Sequence, residues 1–433
     1  MKVLKFGGTS VGSVENMRQV MDIINDGEQK IVVLSAMSGT TNFLVELYEL
    51  TKKMNDGFSV KNKINELKER YEEVVNSLYS TDIKEEAMEF TRNVFGSIYQ
   101  IIDENPADLE GFILAQGEIL STNLFTYFLK ENNINASCLP ALEFMRVDPT
   151  GEPDEFFIRK TLGYYMEKYP AEIFITQGFI CRDFSGNITN LKRGGSDYTA
   201  SIIGGVIQAE NIQIWTDIDG FHNNDPRYVE GTSPISELSF EEAGELAYFG
   251  AKILHPQTVF PAQKRAIPVF LKNTLDPQAQ GTRISNDATA NGVKAIAAKD
   301  GITAIKIRSE RMLQSHGFLS KIFEVFSRHE TSIDMITTSE VAVSLTIDDS
   351  KNLDKIVEEL QRIARVEVDE NQSIVCLVGH EITKSNDTYK LFGILQDFKV
   401  RMISYGGSSN NISLLINTEE KSGVLKKLHQ LVF

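Results

Sequence analysis

Two glycine pairs, each set between a strand-like run and the mouth of a helix, constrain this chain more than any other feature. Lys5-Phe6-Gly7-Gly8-Thr9-Ser10 follows the short run Lys2-Val3-Leu4, and Leu191-Lys192-Arg193-Gly194-Gly195-Ser196-Asp197-Tyr198-Thr199-Ala200 opens an apolar helix. Paired glycines let backbone N–H groups approach an anion closely, a helix N-terminus adds positive potential, and Arg193 offers a fork that matches carboxylate or phosphate. Two such turns, far apart in sequence, predict two anions held facing each other. That is an arrangement for phosphoryl transfer, and it demands a fold in which strand ends lead straight into helices.

The rest of the chain is patterned for such a fold. Ile31-Val32-Val33-Leu34, Ile173-Phe174-Ile175-Thr176 and Ile212-Gln213-Ile214-Trp215 read as strands. Their hydrophobicity is continuous rather than alternating, which means burial on both faces and hence an α/β sandwich. A chain of 433 residues is also too long for one ordinary core, so two or three domains are expected. From about 54 to 102, Lys, Glu and Asn accompany apolar residues at helical spacing; this reads as a helical insertion, solvated and without chemistry of its own. The character changes after the polar stretch from Ser285 to Gly292, so we place a first domain at 1–285 and a second at 293–433. In the second, a strand at 302–307, a helix at about 317–329 and a hairpin from 332–337 and 341–347 are followed by a similar set: 373–378, a helix near 391–398, 400–405 and 411–416. Strand, helix, strand, strand, twice over, predicts two ferredoxin-like βαββαβ modules.

Composition narrows the partners. A formal net charge of −16 opposes binding to nucleic acid or anionic lipid, although a local basic pocket such as Lys5, Lys192 and Arg193 still suits a small anion. No apolar run reaches the roughly 18 residues that a membrane span needs. The first residues form a strand rather than the basic and apolar regions of a signal peptide, so a cytoplasmic location is the expectation. Cys138, Cys181 and Cys376 are scattered with no CxxC pair, which predicts reduced packing residues rather than a disulfide framework or zinc site. Small molecules remain as the expected partners.

Further polar segments carry chemistry of their own. Lys5 sits where its ammonium can reach back over phosphates bound by the Gly7-Gly8 turn. There is no Walker A spacing, and the His-Arg-Asp and Asp-Phe-Gly set of protein kinases is absent. Trp215-Thr216-Asp217-Ile218-Asp219-Gly220, with Asn224-Asp225-Pro226-Arg227 close behind, offers the hydroxyl, carboxylates and arginine that a nucleotide needs; Asp and Gly are equally ordinary turn formers. In Gly250-Ala251-Lys252-Ile253-Leu254-His255-Pro256, Lys252 is either a buried ammonium seeking an anion or a snorkelling surface lysine, and His255 reads as structural. Gln116-Gly117-Glu118 reads as a helix opening, where Glu118 either binds a substrate amino group or caps the helix. Ser35-Ala36-Met37-Ser38-Gly39-Thr40-Thr41-Asn42 is another strand-to-helix turn, rich in hydroxyls.

In this order, KFGGTS, the Ser35 to Asn42 turn, QGE, KRGGSDYTA, WTDIDG, DPR and GAKILHP resemble the aspartate kinases of the amino acid kinase family, from Lys5 to the C-terminus. The resemblance implies an α/β-sandwich kinase domain that uses ATP and Mg2+, the metal held mainly through the nucleotide phosphates, followed by paired ACT modules that bind a regulatory amino acid. It implies transfer of a phosphoryl group to the side-chain carboxylate of L-aspartate, on the route to lysine, threonine and methionine. By similarity, Lys5, Gly8 and Asp197 are catalytic: Lys5 neutralises the phosphoryl group in flight and Asp197 orients the lysine and the substrate. Arg193 clamps a substrate carboxylate, and Thr41, Glu118, Ser35 and Ser196 complete the aspartate site. The nucleotide takes Lys5, Gly7, Gly8, Ser10, Thr216, Asp217, His222, Arg227 and Lys252; many relatives carry Tyr where this chain has His222. The tandem ACT-like pair and the DPR and GAKILHP segments set the chain apart from relatives acting on glutamate, acetylglutamate, carbamate or UMP, and the intact Lys5, Arg193 and Asp197 argue against an inactive sensor.

The segments 312–319 and 332–340 resemble the lysine-sensitive monofunctional branch, which implies an allosteric L-lysine site from Met312, Ser315, Phe318, Leu319, Ser332, Asp334, Thr338 and Glu340. Asp334 and Glu340 suit ammonium groups, and backbone N–H groups near the helix start at Gly317 to Leu319 suit a carboxylate. ACT modules expose sheet edges, so a homodimer or higher homo-oligomer through the residues after 290 is expected.

Overall fold

The computed structural model describes residues 1–53, 57–191, 194–250, 254, 256–288, 290–309, 316–384 and 388–433. Its chain divides into two compact units: Met1–Phe221, Ser236–Phe240 and Leu254–Ala288 form unit 1, and His222–Ile235, Glu241–Ile253 and Thr289–Phe433 form unit 2.

Unit 1 begins with β1 (Lys2–Phe6), α1 (Val14–Ile24), β2 (Lys30–Leu34), α2 (Thr40–Thr51), α3 (Gly57–Leu78), α4 (Ile83–Glu104), α5 (Leu109–Glu131) and β3 (Ala136–Leu139). It continues through α6 (Ala141–Phe144), α7 (Glu155–Lys168), β4 (Ile173–Gln177), the hairpin β5 (Ile180–Arg182) and β6 (Ile188–Asn190), α8 (Gly195–Ile207), β7 (Ile212–Thr216) and β8 (Glu237–Leu238). After α9 (Phe240–Tyr248), most of which lies in unit 2, it closes with α10 (Phe260–Lys264), β9 (Val269–Asn273) and β10 (Thr282–Ile284).

One sheet of order β3-β4-β2-β1-β7-β9-β10-β8 organises this unit. The pairs from β3 to β9 are all parallel, and every residue of β2 and β4 is buried, as continuous hydrophobicity requires. Strand alternation splits β1 between two faces. Leu4 and Phe6 join a core with Met17, Val20 and Ile24 of α1, Leu44 and Leu47 of α2, and apolar residues of α3 to α5. Lys5 faces the other way, toward α8. The helical insertion is therefore no solvated appendage: Val60, Ile64, Leu67, Tyr71 and Val75 of α3 and Ala87, Phe95 and Ile98 of α4 belong to that same core.

Unit 2 is built on β11 (Gly292–Arg308), α11 (Phe318–Arg328), β12 (Ile336–Thr338), β13 (Ala342–Ile347), α12 (Leu353–Gln361), β14 (Arg365–His380), β15 (Met402–Ser404), β16 (Asn411–Asn417) and α13 (Lys421–Val432). The two modules share one sheet, β12-β13-β11-β14-β16-β15. β11 and β14 pair antiparallel along nearly their whole length; the far half of β11 also pairs with β13, and the far half of β14 with β16. Each long strand thus serves both modules, and the second module takes a strand that precedes the first. The expected strand at 302–307 is only half of β11, because Asp300-Gly301, with φ +77 at the glycine, reads as a break in sequence while the register shift there absorbs it. The expected helix at 391–398 is instead a run of 3-10 turns over Thr388–Gln396. Two separate apolar clusters, around Phe326 and around Leu425, fill the modules. Among the described residues no helix is long and apolar enough to cross a membrane.

The segment after β7 depends on Gly220, where φ is +113 and an added Cβ would lie 2.4 Å from Thr282 Oγ1 and 2.9 Å from Thr282 N. Thr282 Oγ1 is already committed, accepting from the Phe221 N–H at 2.9 Å. Gly220→Ala is therefore expected to lower stability by about 2 kcal/mol or more, read as a shift in the urea midpoint; an unshifted midpoint contradicts this account.

Candidate active site

The parallel pairing of unit 1 continues one residue past its strands. Gly178 N–H donates to Leu34 O at 2.9 Å, Ser35 N–H to Phe6 O at 3.2 Å, Gly7 N–H to Trp215 O at 3.3 Å, and Thr274 N–H to Thr216 O at 2.8 Å. The turns that follow β4, β2, β1 and β9 therefore start side by side on the carboxyl edge, where open parallel sheets collect their ligands.

Lys5 lies near the end of β1, and its Nζ is 2.7 Å from Asp197 Oδ1, with the two side chains only 12% and 16% exposed. Asp197 is in the first turn of α8, whose N-cap, Gly194, is left-handed at φ 63. A lysine ammonium has three donors, so one carboxylate partner leaves capacity for a phosphoryl oxygen. Gly7 borders the ammonium: a Cβ there would stand 3.5 Å from Lys5 Nζ. Gly8 packs on the next turn, its missing Cβ 2.8 Å from Ala36 O, and its own carbonyl accepts from Ser38 N–H at 3.0 Å.

That second turn links Lys5 to the acceptor side. Ser35 Oγ donates to Ser196 Oγ at 2.9 Å, beside Asp197, and Ser35 O accepts from Ser121 Oγ of α5 at 2.7 Å. Gly178 makes the junction sterically feasible, since a Cβ there would fall 2.3 Å from Ser196 Cβ. Sequence reading passed over Gly178, although a glycine directly after a buried strand is the same signal that marked Gly7. Its neighbour Phe179 holds φ +67, with its N–H bound to Thr199 Oγ1 at 2.9 Å.

Glu118 is placed differently from the helix opening expected. α5 starts at Leu109, so Gln116-Gly117-Glu118 lies inside a 23-residue helix and the capping alternative is ruled out. The apolar run before it prolongs the helix upstream. Glu118 is 3% exposed, and its Oε2 has no hydrogen-bond partner among the described residues. Burial pushes its carboxyl up to about 8, against the opposing pull of the Ala36 backbone N–H. An enclosed acid with one oxygen unpartnered among the described residues has the chemistry to accept from a cationic donor.

The residues expected to take the nucleotide are not all in one unit. Ser10 is buried, sharing a hydrogen bond of 2.8 Å with Thr274 Oγ1, and Thr216 Oγ1 donates to the exposed Asp217 at 3.1 Å. Thr41 is half-buried in the first turn of α2. His222 and Arg227 belong to unit 2. His222 Nδ1 is 3.4 Å from Thr232 Oγ1, and the Arg227 guanidinium forks onto Asp225, Nε to Oδ1 at 2.9 Å and Nη2 to Oδ2 at 2.6 Å. Lys192, Arg193, Lys252, His255, Met312 and Ser315 lie outside the described residues.

In unit 2 the expected effector residues separate by exposure. Phe318 is buried, whereas Leu319, Ser332, Thr338 and Glu340 are exposed. The Asp334 side chain is fully enclosed: Tyr248 of α9 donates to its Oδ1, Lys299 Nζ stands 4.0 Å away, and Oδ2 has no partner among the described residues. Burial raises its pKa, with Tyr248 and Lys299 opposing. Lys299 also binds Asp348 at 2.7 Å and lies 4.1 Å from the centre of the Tyr248 ring. Sequence gave no signal for Tyr248, which is 86 positions from Asp334.

Comparison with known proteins agrees with this fold. The amino acid kinase family model matches residues 1–273, and an ACT domain model matches 305–361 and 375–431. The lysine-sensitive aspartokinase 3 of Escherichia coli (strain K12) is 35% identical over 447 residues, covering 100% of this chain and 99% of the relative. Two crystal structures of E. coli aspartokinase III, each 34% identical, superpose over 100% of this chain and 99% of theirs: the T-state complex with lysine and aspartate at a TM-score of 0.84, and the R-state complex with aspartate and ADP at 0.82. The fold and site thus define a phosphotransferase of the amino acid kinase family with tandem ACT domains. Within that family, the chain belongs to the aspartokinases.

The buried acid makes a prediction about pH. Because the folded pKa of Glu118 is raised from its ordinary 4.5 to about 8, the folded state keeps a proton that the unfolded state releases, so stability falls as pH rises through that window. Glu118→Gln removes the charge with little change of shape. It is expected to flatten the fall and to melt at a higher temperature than the parent at pH 8; an equal loss of Tm between pH 5 and pH 8 in both proteins would assign the proton elsewhere.

Proposed function

We propose that this chain transfers the γ-phosphate of ATP to the side-chain carboxylate of L-aspartate, giving 4-phospho-L-aspartate. The observation that carries the reading is one enclosed carboxylate, Glu118, with an oxygen unpartnered among the described residues; it accepts from the Ala36 N–H, next to Ser35, and Ser35 bonds Ser196 beside the Asp197 that holds Lys5 at a glycine turn. The carboxylate suits an amino acid's ammonium group and the lysine a phosphoryl group. In this reading Glu118 binds the α-ammonium, Arg193 clamps a carboxylate, Thr41, Ser35 and Ser196 complete the acceptor pocket, and Asp197 holds Lys5 in place. Ser10, Thr216 and Asp217 serve the nucleotide side. The aspartate and ADP bound by the E. coli relative support this pair of substrates.

The chemistry follows from charge. The acceptor carboxylate, with a free pKa of about 4, is already ionised at pH 7, so no general base is needed. An acceptor oxygen attacks the γ-phosphorus in line as the bond to the β-phosphate oxygen breaks, and catalysis reduces to alignment and neutralisation. Lys5 supplies a fixed positive charge to the equatorial oxygens. Mg2+ would supply neutralisation on the phosphate oxygens, and Asp217, exposed beside Thr216, would be the carboxylate suited to hold it there. Lys5→Met is expected to lower kcat on the order of a hundredfold with ATP still binding, measured by ADP release and nucleotide titration. Near-normal kcat would remove Lys5 from the mechanism.

Feedback inhibition by L-lysine in the first ACT module is the regulatory part of the proposal, and a homo-oligomer built through these modules its structural setting. The enclosed Asp334 has a vacant oxygen like that of Glu118, and the E. coli relative was solved with lysine bound. A preference of lysine for the less active state of roughly 1–3 kcal/mol suffices for useful inhibition. Asp334→Asn is expected to need about tenfold more lysine for half-inhibition. Inhibition by threonine but not lysine, or an unaltered lysine response in Asp334→Asn, would defeat this assignment.

A further inference from the structure

We propose that Arg70 and Tyr71, in the helical insertion, are positioning residues for the acceptor: they fix the turn between β2 and α2 that carries Ser35 and Thr41. The inference rests on the acceptor site proposed above. The inner side of this turn is tied to the phosphate-binding turn, Ser38 N–H to Gly8 O at 3.0 Å, and closes on itself through Thr40 N–H to Met37 O at 3.0 Å. Its outer side is held by two consecutive residues of α3. Arg70 Nη2 donates to Ser38 O at 2.6 Å, and Tyr71 OH shares a hydrogen bond of 3.0 Å with Thr40 Oγ1.

The two contacts differ in character and act on different atoms. The Ser38 carbonyl just precedes Gly39, the left-handed N-cap of α2 at φ 80, and no side chain caps that helix. A backbone in this conformation is costly unless its surroundings fix it, and the Arg70 guanidinium lies over it, 3.6 Å from where a Gly39 Cβ would be. A charge-assisted bond to the carbonyl restrains the peptide that sets the direction of Thr41. Tyr71 acts from inside. It is 1% exposed and Thr40 0%, so the hydroxyl pair is enclosed, and each group would be left unsatisfied without the other. Thr40 is wedged against α5 as well, its Cγ2 3.2 Å from the position of a Gly117 Cβ, one residue before Glu118. The insertion therefore locks the Ser38–Thr40 segment between the phosphate turn and the acid, the two ends that must be aligned.

The test uses the full-length enzyme and the variants Arg70→Ala, Arg70→Lys and Tyr71→Phe, with two readouts. The first is amide hydrogen exchange over residues 38–42 without substrate; the second is ADP-release kinetics with aspartate and with ATP varied separately. Arg70→Ala is expected to speed exchange in this segment about tenfold and raise the aspartate KM by a similar factor, with the ATP KM within about twofold. Arg70→Lys, which still donates to a carbonyl, should recover a good part of both. Tyr71→Phe, which leaves the buried Thr40 hydroxyl without its partner, should raise the aspartate KM several-fold with the ATP KM within about twofold, alongside a modest fall in melting temperature. Unaltered exchange in Arg70→Ala, or a loss shared equally by both KM values, overturns the proposal. If the parent shows no aspartate-dependent ADP release, the acceptor assignment fails by itself, while the exchange experiment still decides whether Arg70 holds the turn.

Discussion

Parallel pairing of β4, β2, β1, β7 and β9 is the constraint on which the rest of this molecule depends. In a parallel sheet every strand ends on the same edge, and here the hydrogen bonding runs on by one residue, so four turns leave that edge in fixed register. Lys5, Ser35 and Asp197 stand within or directly beside regular elements, so no long loop is needed to place them. Lys5 is itself a strand residue, aimed at α8 by the alternation that sends Leu4 and Phe6 into the opposite core. The rigidity of the sheet is thereby passed to the charges.

Close backbone approach is the second requirement, and it explains where the glycines fall. Gly8 against Ala36 and Gly178 against Ser196 mark places where one turn lies directly on another. With turns so close, Asp197, Lys5, Ser196 and Ser35 share a small, largely enclosed volume, and desolvation amplifies each of their interactions. Glu118 shows the cost of this design. Burial raises its carboxyl pKa and leaves Oε2 without a partner among the described residues, a cost to stability.

Unit 2 solves a different problem with the same economy. Two ACT modules that each owned a sheet would expose four edges; sharing β11 and β14 makes one sheet with two short edge strands, β12 and β15, of three residues each. Its polar groups follow the pattern of the kinase site in one respect: Asp334 is an enclosed acid with a vacant oxygen. α9 is bound to this unit through Glu241 to Asn410, Glu242 to Lys294, Glu245 to Asn411 and Tyr248 to Asp334.

The sequence by itself determined the α/β class, the strand cores and the two glycine turns, because each is written in local terms: continuous apolar runs for strands buried on both faces, and paired glycines where backbone meets an anion. Lys5 and Asp197 were legible for the same reason, both being adjacent to those turns. The tertiary structure decided what depends on distance along the chain. It placed Glu118 inside a helix rather than at its start, joined Tyr248 to Asp334, brought Arg70 and Tyr71 of a charged, helical segment onto the acceptor turn, and carried β11 through Asp300-Gly301. These are partnerships between residues far apart in sequence, and no local propensity encodes a partner. Burial, which raises the pKa of Glu118 and encloses Asp334, exists only once the surrounding elements have packed.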